Sequence, residues 1–185
     1  MEREVTNLNV LNEFCEKFSQ IMEQYCRYII VSGFVAIASG RTRGTEDIDL
    51  IMERVSKEKF RLIFAALKKE GFACMQSDDA DEVYAYLQEN LSVRFTWKEK
   101  PLPEMEIKFA KDALDEYQLR TRIKLPLTNL DVWFSDINVN IAFKEELLKS
   151  PKDLEDARHL RIVFAELVDE AKIKKVKELI RRLRL

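Results

Sequence analysis

Two carboxylates separated by one residue form the motif of this sequence best suited to chemistry. Asp47 and Asp49 lie in the run Asp47–Met52, whose composition is typical of a buried strand. Side chains two apart on a strand share a face, so both carboxylates project together while Ile48 points to the core. Paired carboxylates supply the hard oxygen ligands that Mg²⁺ or Mn²⁺ prefers. The spacing therefore predicts a divalent cation at this pair.

A second motif precedes the carboxylates by fourteen residues, counted from Gly33 to Asp47. Ser32-Gly33 stands between an apolar run and a short helical pattern, where backbone N–H groups are exposed and Gly lets a phosphate approach closely. Arg41 and Arg43, which follow the turn, can neutralise phosphate oxygens, although ordinary loop charge is the alternative for both. Turn and carboxylates together predict a triphosphate site for phosphoryl transfer.

The elements that position these motifs alternate between strand and helix. Tyr28–Val31 predicts a short buried strand, Phe34–Ser39 a short helix, and Asp47–Met52 the next strand. Ser56 then caps a further helix that ends at Gly71. This order predicts a sheet with helices packed on it, with the turn and the carboxylates at one cleft.

Further elements complete an α/β (α+β) fold. Leu8 to Tyr25 has the three- and four-residue apolar spacing of a helix. Residues 72–90 carry a weaker pattern, with a short helix predicted near Val83–Leu87. Four more strands are predicted at Leu91–Trp97, Met105–Phe109, Thr121–Leu125 and Leu130–Phe134. We expect a mixed central sheet flanked by helices.

The C-terminal part is predicted to be helical. Ser150 is a helix cap and Pro151 suits the first helical position, so a helix begins there and is expected to run to about Asp169. We expect residues 1–150 to form the main domain and residues 151–185 a helical segment packed on it.

Composition narrows the class of protein. The 185 residues suit one compact domain, and 31 basic against 33 acidic side chains argue against a surface devoted wholly to nucleic acid. The three cysteines form no Cys-x-x-Cys pair, which argues against a zinc site. The sequence carries no apolar run long enough to span a membrane and no secretory signal pattern, so we expect a cytoplasmic protein without a membrane partner.

These motifs resemble the nucleotidyltransferase superfamily, in which a Gly-Gly or Gly-Ser turn precedes an Asp-x-Asp strand. The sequence looks closest to the branch that contains the toxin enzymes of type IV abortive-infection systems and related prokaryotic proteins. Residues typical of that branch stand at Gly40, Arg43, Thr45, Asp47 and Asp49. A second block, Ser150 to Ala157, is similar to its Lys-Asp-Leu-x-Asp motif.

The resemblance implies a third metal carboxylate beside Asp47 and Asp49. We choose Glu106, because alternation in Met105–Phe109 places it on the polar side, and we keep Asp131 as the alternative. The resemblance also implies a set of nucleotide-binding residues, namely Ser32, Gly33, Arg41, Arg43, Thr45 and Lys152. For Lys152, a surface position at the start of a helix is the competing interpretation.

The implied function is transfer of a nucleoside monophosphate from an NTP to a hydroxyl of a protein, RNA or small molecule. Asp47, Asp49 and Glu106 would be the catalytic residues, with Mg²⁺ or Mn²⁺ as cofactor. One alternative is an inactive nucleotide-binding or interaction module, for example half of a toxin–antitoxin pair with a protein partner. Another is an RNA-binding adaptor that uses the basic face of residues 172–184.

Overall fold

The computed structural model describes residues 2–42 and 47–185. Its strands are β1 (Tyr28–Val31), β2 (Asp47–Met52), β3 (Phe72–Cys74), β4 (Val93–Trp97) and β5 (Glu104–Phe109). Across these described residues they form one five-stranded sheet in the order β1-β2-β5-β4-β3. β2 and β5 run parallel, whereas the other neighbouring strands are antiparallel. The sheet is therefore mixed, as predicted, and Asp47–Met52 lies beside Tyr28–Val31.

Helices flank the sheet and connect its strands. They are α1 (Glu2–Glu23), α2 (Gly33–Ala38), α3 (Lys57–Lys69), α4 (Ala80–Gln88), α5 (Ala113–Arg120), α6 (Ile137–Phe143), α7 (Pro151–Val163) and α8 (Glu170–Arg184). The predicted caps are confirmed, because the hydroxyls of Ser56 and Ser150 accept hydrogen bonds from the first turns of α3 and α7.

The two faces of the sheet differ in chemistry because side chains alternate along each strand. On β5, Met105, Ile107 and Phe109 are buried, whereas Glu106 between them is only half-buried. β2 follows the same period, with Ile48 fully buried between the two aspartates. The apolar face packs in the main core with α1 and α3, which leaves the acidic residues on the opposite face.

Helix α5 covers one end of that opposite face. Ile29 of β1 and Ile51 of β2 are buried there in a second, smaller core with Ala110 and Leu119. The acidic residues of β2 and β5 lie further along the same face. The second core thus fixes the strands next to the acidic residues without burying those residues fully.

The C-terminal helices form a unit around α6. α6 continues into a π-helical turn over Lys144–Leu148. Ile173, Val176 and Ile180 bury one stripe of α8. On its polar side, Lys172, Lys177, Arg181 and Arg184 form ion pairs with Asp136, Glu145, Glu146 and Asp112. Four basic side chains of α8 are therefore paired with carboxylates of the same chain.

The prediction of strands at Thr121–Leu125 and Leu130–Phe134 is wrong. Phe134 forms only single bridges, to Ile30 and to Ile123. The 3₁₀ turn that starts at Pro126 separates the two segments, because Pro cannot donate to a ladder. Apolar residues in this segment are buried as irregular chain against β1, which alternation alone does not distinguish from a strand.

The predicted end of the helix at Asp169 is also wrong. α7 ends at Val163, and the Asp169 carboxylate caps the next helix by accepting from Ala171 and Lys172. β3, α5 and α6 were not predicted. Within the described part of the chain, no helix is both long and apolar enough to cross a membrane.

We predict that the two faces of β5 respond differently to substitution. Ile107→Ala should lower the free energy of unfolding by about 2–5 kcal/mol, because it opens a cavity in a fully buried position. Glu106→Gln should change it by less than about 1 kcal/mol, because its ion pair is partly exposed. Urea denaturation of both variants measures this, and equal losses would contradict the assignment of the faces.

Candidate functional site

Strand register brings the acidic residues of two strands together. Asp49 of β2 is the direct partner of Glu106 on β5, and Asp47 is the partner of Glu104. Directly paired residues project on the same face, with their Cβ atoms about 5 Å apart. Val31, the last residue of β1, is the partner of Asp49 on its other side. Four carboxylates thus occupy neighbouring positions beside the end of β1.

The Ser32-Gly33 turn directly adjoins this group. Ser32 has φ 67° and ψ −141°, a backbone conformation that glycine adopts far more easily than serine. Such positions cost about 1–3 kcal/mol and persist where the surrounding structure enforces them. The Ser32 hydroxyl hydrogen-bonds the Asp49 carboxylate. The turn and the carboxylate pair, separate in sequence, therefore lie next to each other in the fold.

The electrostatics of Asp49 reflect crowding by negative charge. Burial raises the pKa of its carboxyl, and a hydrogen bond from Ser32 opposes that rise. The negative charges of Glu106 and Asp47 raise the pKa further, whereas the Lys108 ammonium lowers it. Ionised Asp49 is therefore held in surroundings that favour its neutral form. A bound cation would relieve this cost.

We predict that Asp49→Asn stabilises the cation-free protein near neutral pH. A raised pKa means that the folded state keeps its proton after the unfolded chain has lost it, so stability falls as pH rises through that window. Asn removes the cost, and the gain should disappear well below pH 3.8, the ordinary pKa of an aspartic acid, where both states are protonated. Thermal unfolding in EDTA at both pH values measures this.

The control for that measurement is Asp131→Asn, because Asp131 is 84% exposed and paired with Lys124. Its unfolding temperature should be nearly unchanged at both pH values. A lower unfolding temperature for Asp49→Asn near neutral pH would contradict the electrostatic assignment.

The sequence analysis assigns no role to two basic side chains that lie on the same face. Arg94 of β4 is the register partner of Glu106, and its Nε lies 3.2 Å from Glu106 Oε2 and 3.5 Å from Glu104 Oε2. Lys108 lies two residues beyond Glu106 on β5. The signal was present, because the alternation in Leu91–Trp97 places Arg94 on the polar side. The pairing of β4 with β5, which makes it meet Glu106, is not local information.

The described carboxylates do not converge on one cation position. Among the described residues, no group of three or more Asp, Glu, His or Cys side chains is arranged to hold a metal ion. The Glu106 carboxylate instead bonds Arg94. Asp47 is exposed and Asp49 half-buried, so both remain next to open space.

Arg41 binds helix α7. Its guanidinium pairs with the carboxylates of Asp156 and Glu155. Asp156 is completely buried, and its second oxygen lies 2.9 Å from Nζ of Lys144, which is 1% exposed. The sequence analysis assigns no role to Asp156 or Lys144, because the tertiary contact that pairs them leaves no local signal. Arg41, Asp156 and Lys144 form what we name the buried charge network.

The buried charge network connects distant parts of the chain. Arg41 lies just after α2, and its backbone N–H donates a hydrogen bond to the Ala36 carbonyl. Lys144 begins the π-helical turn and also approaches Asp153 at 3.5 Å. His159 of α7 contacts the Ser39 carbonyl at 3.2 Å. These contacts hold Ser39 and Arg41, which follow α2, against α7.

We predict that Lys144→Met destabilises the protein by about 3–5 kcal/mol, because it removes one partner of a buried ion pair. The double variant Lys144→Met with Asp156→Leu should recover part of this loss, since it removes the buried carboxylate that Lys144 neutralised while Arg41 keeps its pair with Glu155. Lys57→Met, which removes an exposed pair with Asp81, is the control and should cost less than about 1 kcal/mol. Chemical denaturation measures all three, and a small loss in Lys144→Met would contradict the role of the network.

The remaining predicted residues lie apart from the carboxylates or outside the described residues. Asp131 pairs with Lys124 at 2.7 Å, and its backbone N–H bonds Glu16 of α1. Lys152 is exposed in the first turn of α7. Arg43 and Thr45 lie outside the residues that the structure describes. The geometry therefore brings Ser32, Asp47, Asp49 and Glu106 together, and the roles predicted for these and for the other residues stay predictions.

Comparison with solved structures identifies the architecture. The solution structure of the antibiotic-resistance factor ANT(2'')-Ia matches with a TM-score of 0.56 at 15% identity, over 94% of this chain and 92% of that one. An antigenic nucleotidyltransferase-like protein from Paracoccidioides brasiliensis matches with a TM-score of 0.56 at 18% identity, over 94% and 88%. Comparison with protein-family models and with curated proteins found no match. The chain therefore has a nucleotidyltransferase fold, which confirms the predicted fold class.

Proposed function

We propose that the protein is a nucleotidyltransferase that moves a nucleoside monophosphate from an NTP to a hydroxyl of a protein, RNA or small molecule. The observation that carries the proposal is the arrangement of Ser32, directly after β1, beside Asp49 of β2, which is the register partner of Glu106 on β5. It places a turn suited to phosphate next to carboxylates on an open sheet face. The fold it shares with ANT(2'')-Ia supports the same reading.

The residues present fit a hard divalent cation. Asp47, Asp49 and Glu106 offer only carboxylate oxygens, the ligands that Mg²⁺ and Mn²⁺ prefer. The pKa of Asp49, raised by burial and by its acidic neighbours, indicates negative charge that a cation would compensate. A cation held there would supply charge neutralisation at the α-phosphate during transfer.

The chain's own residues would divide the work as follows. Ser32 and Gly33 lie where the phosphates of the NTP approach the sheet. Glu106, on the far side of Asp49 from the turn, would orient the acceptor hydroxyl and take its proton. The hydroxyl oxygen bonds to the α-phosphorus, the bond from that phosphorus to the bridging oxygen breaks, and pyrophosphate leaves with that electron pair.

The second candidate is an inactive member of this fold that binds nucleotide or a protein partner, as in a toxin–antitoxin pair. The Arg94–Glu106 bond favours it, because the third carboxylate is engaged. Serine in place of the usual glycine at position 32 favours it too. By contrast, the ion pairs of Lys172, Lys177, Arg181 and Arg184 argue against the RNA-binding adaptor, since they leave less free positive charge on α8.

Transfer of label from α-³²P NTP to an acceptor in cell extract tests the proposal. With Mg²⁺ or Mn²⁺, wild-type protein should label a macromolecule or small molecule, and each of the four NTPs should be tried separately. Asp49→Asn and Glu106→Gln should abolish labelling, a loss of at least about a hundredfold for a residue that acts in the transition state.

Asp131→Asn is the matched control and should keep most of the activity, because its carboxylate lies on the other side of β1 beside α1. Nucleotide binding without any transfer would instead support the inactive module. Loss of labelling in Asp131→Asn with retention in Glu106→Gln would mean that the third carboxylate is Asp131.

A further inference from the structure

We infer that Arg94 is a positioning residue that holds Glu106 in the cation-free protein and competes with the divalent cation for it. This inference rests on the proposed cation site and goes beyond it. Arg94 Nε donates to Glu106 Oε2 at 3.2 Å and lies 3.5 Å from Glu104 Oε2. A cation shared by Asp49 and Glu106 requires the same Glu106 carboxylate that the guanidinium now holds.

The charge on this face explains why Arg94 and a divalent cation compete for Glu106. Asp47, Asp49, Glu104 and Glu106 project from β2 and β5, and the facing cations among residues 2–42 and 47–185 include Arg94 from β4 and Lys108 from β5. In the cation-free protein, Arg94 offsets part of the excess negative charge. A divalent cation would bring two positive charges beside the guanidinium, so that the Arg94–Glu106 bond opposes binding.

The position of Arg94 also leaves room for a cation to replace its guanidinium at Glu106. Its side chain is 47% exposed, on the part of the sheet face that α5 leaves open. The backbone around it is fixed independently, because its N–H bonds the Gln76 side chain and its carbonyl accepts from Met75. The guanidinium can therefore leave Glu106 while β4 stays in place.

Titration calorimetry with MnCl₂ alone, on the full chain and without nucleotide, tests this inference. Arg94→Gln should bind Mn²⁺ about three- to tenfold more tightly than wild type, the size expected when a partly exposed competing charge is removed. Arg94→Lys, which keeps the charge but loses the planar fork, should lie between the two. Arg61→Gln removes an arginine of similar exposure, 51%, paired with Asp81, and should bind as wild type does.

A second readout is thermal unfolding in EDTA and in Mn²⁺. Arg94→Gln should unfold at a lower temperature than wild type in EDTA and should gain more from Mn²⁺, because its carboxylates repel one another until a cation binds. This readout detects exchange at Glu106 without any measurement of activity.

The outcomes separate the inference from the proposed function. Binding by Arg94→Gln but not by wild type would support the inference in its strongest form. Binding by wild type with equal or weaker binding by Arg94→Gln would overturn the role of Arg94 and leave the proposed function standing. Absence of binding in every variant would overturn both the competition and the proposed dependence on a cation.

Discussion

The parallel pairing of β2 with β5 is the interaction on which the site depends. It sets Asp49 beside Glu106, although 57 positions separate them in the chain. Parallel neighbours need a long connection, and here it contains α3, β3, α4 and β4, of which β4 returns to pair with β5. A shift of one residue in this register would exchange acidic for apolar side chains on both faces. The main core therefore fixes the register, and the register fixes the chemistry.

The site is maintained at an energetic cost to the fold. Burial and neighbouring negative charge raise the pKa of Asp49, so its ionised form is costly, and Ser32 holds a backbone conformation suited to glycine. Neither feature contributes to the core. They persist because apolar burial on both sides of the sheet, including the second core around Ile29 and Ile51, supplies the stability that they cost. Such local cost is typical of functional sites.

Local pattern predicted the parts of the site but not their partners. Alternation in β2 and β5 placed Asp49 and Glu106 correctly on the polar sides, and spacing found the turn at Ser32. The same rule turned Leu130–Phe134 into a strand, because irregular chain buried against β1 carries the same apolar residues. Arg94 and Lys144 owe their roles to the pairing of β4 with β5 and of α7 with α6. No window of sequence contains that pairing.

The bond between Arg41 and Asp156 has a consequence for the order in which the protein assembles. Its partners are 115 residues apart, so Arg41 is held only after α7 has joined the rest of the fold. Contacts of such long sequence separation form late and make folding slower. The chain loses the entropy of loop closure before the contact contributes favourable energy. During synthesis, the chain exposes Asp47 and Asp49 long before α7 emerges from the ribosome. The contact between Arg41 and α7 therefore forms only when the C-terminal helices dock, so a nascent chain carries every candidate catalytic residue before this contact exists.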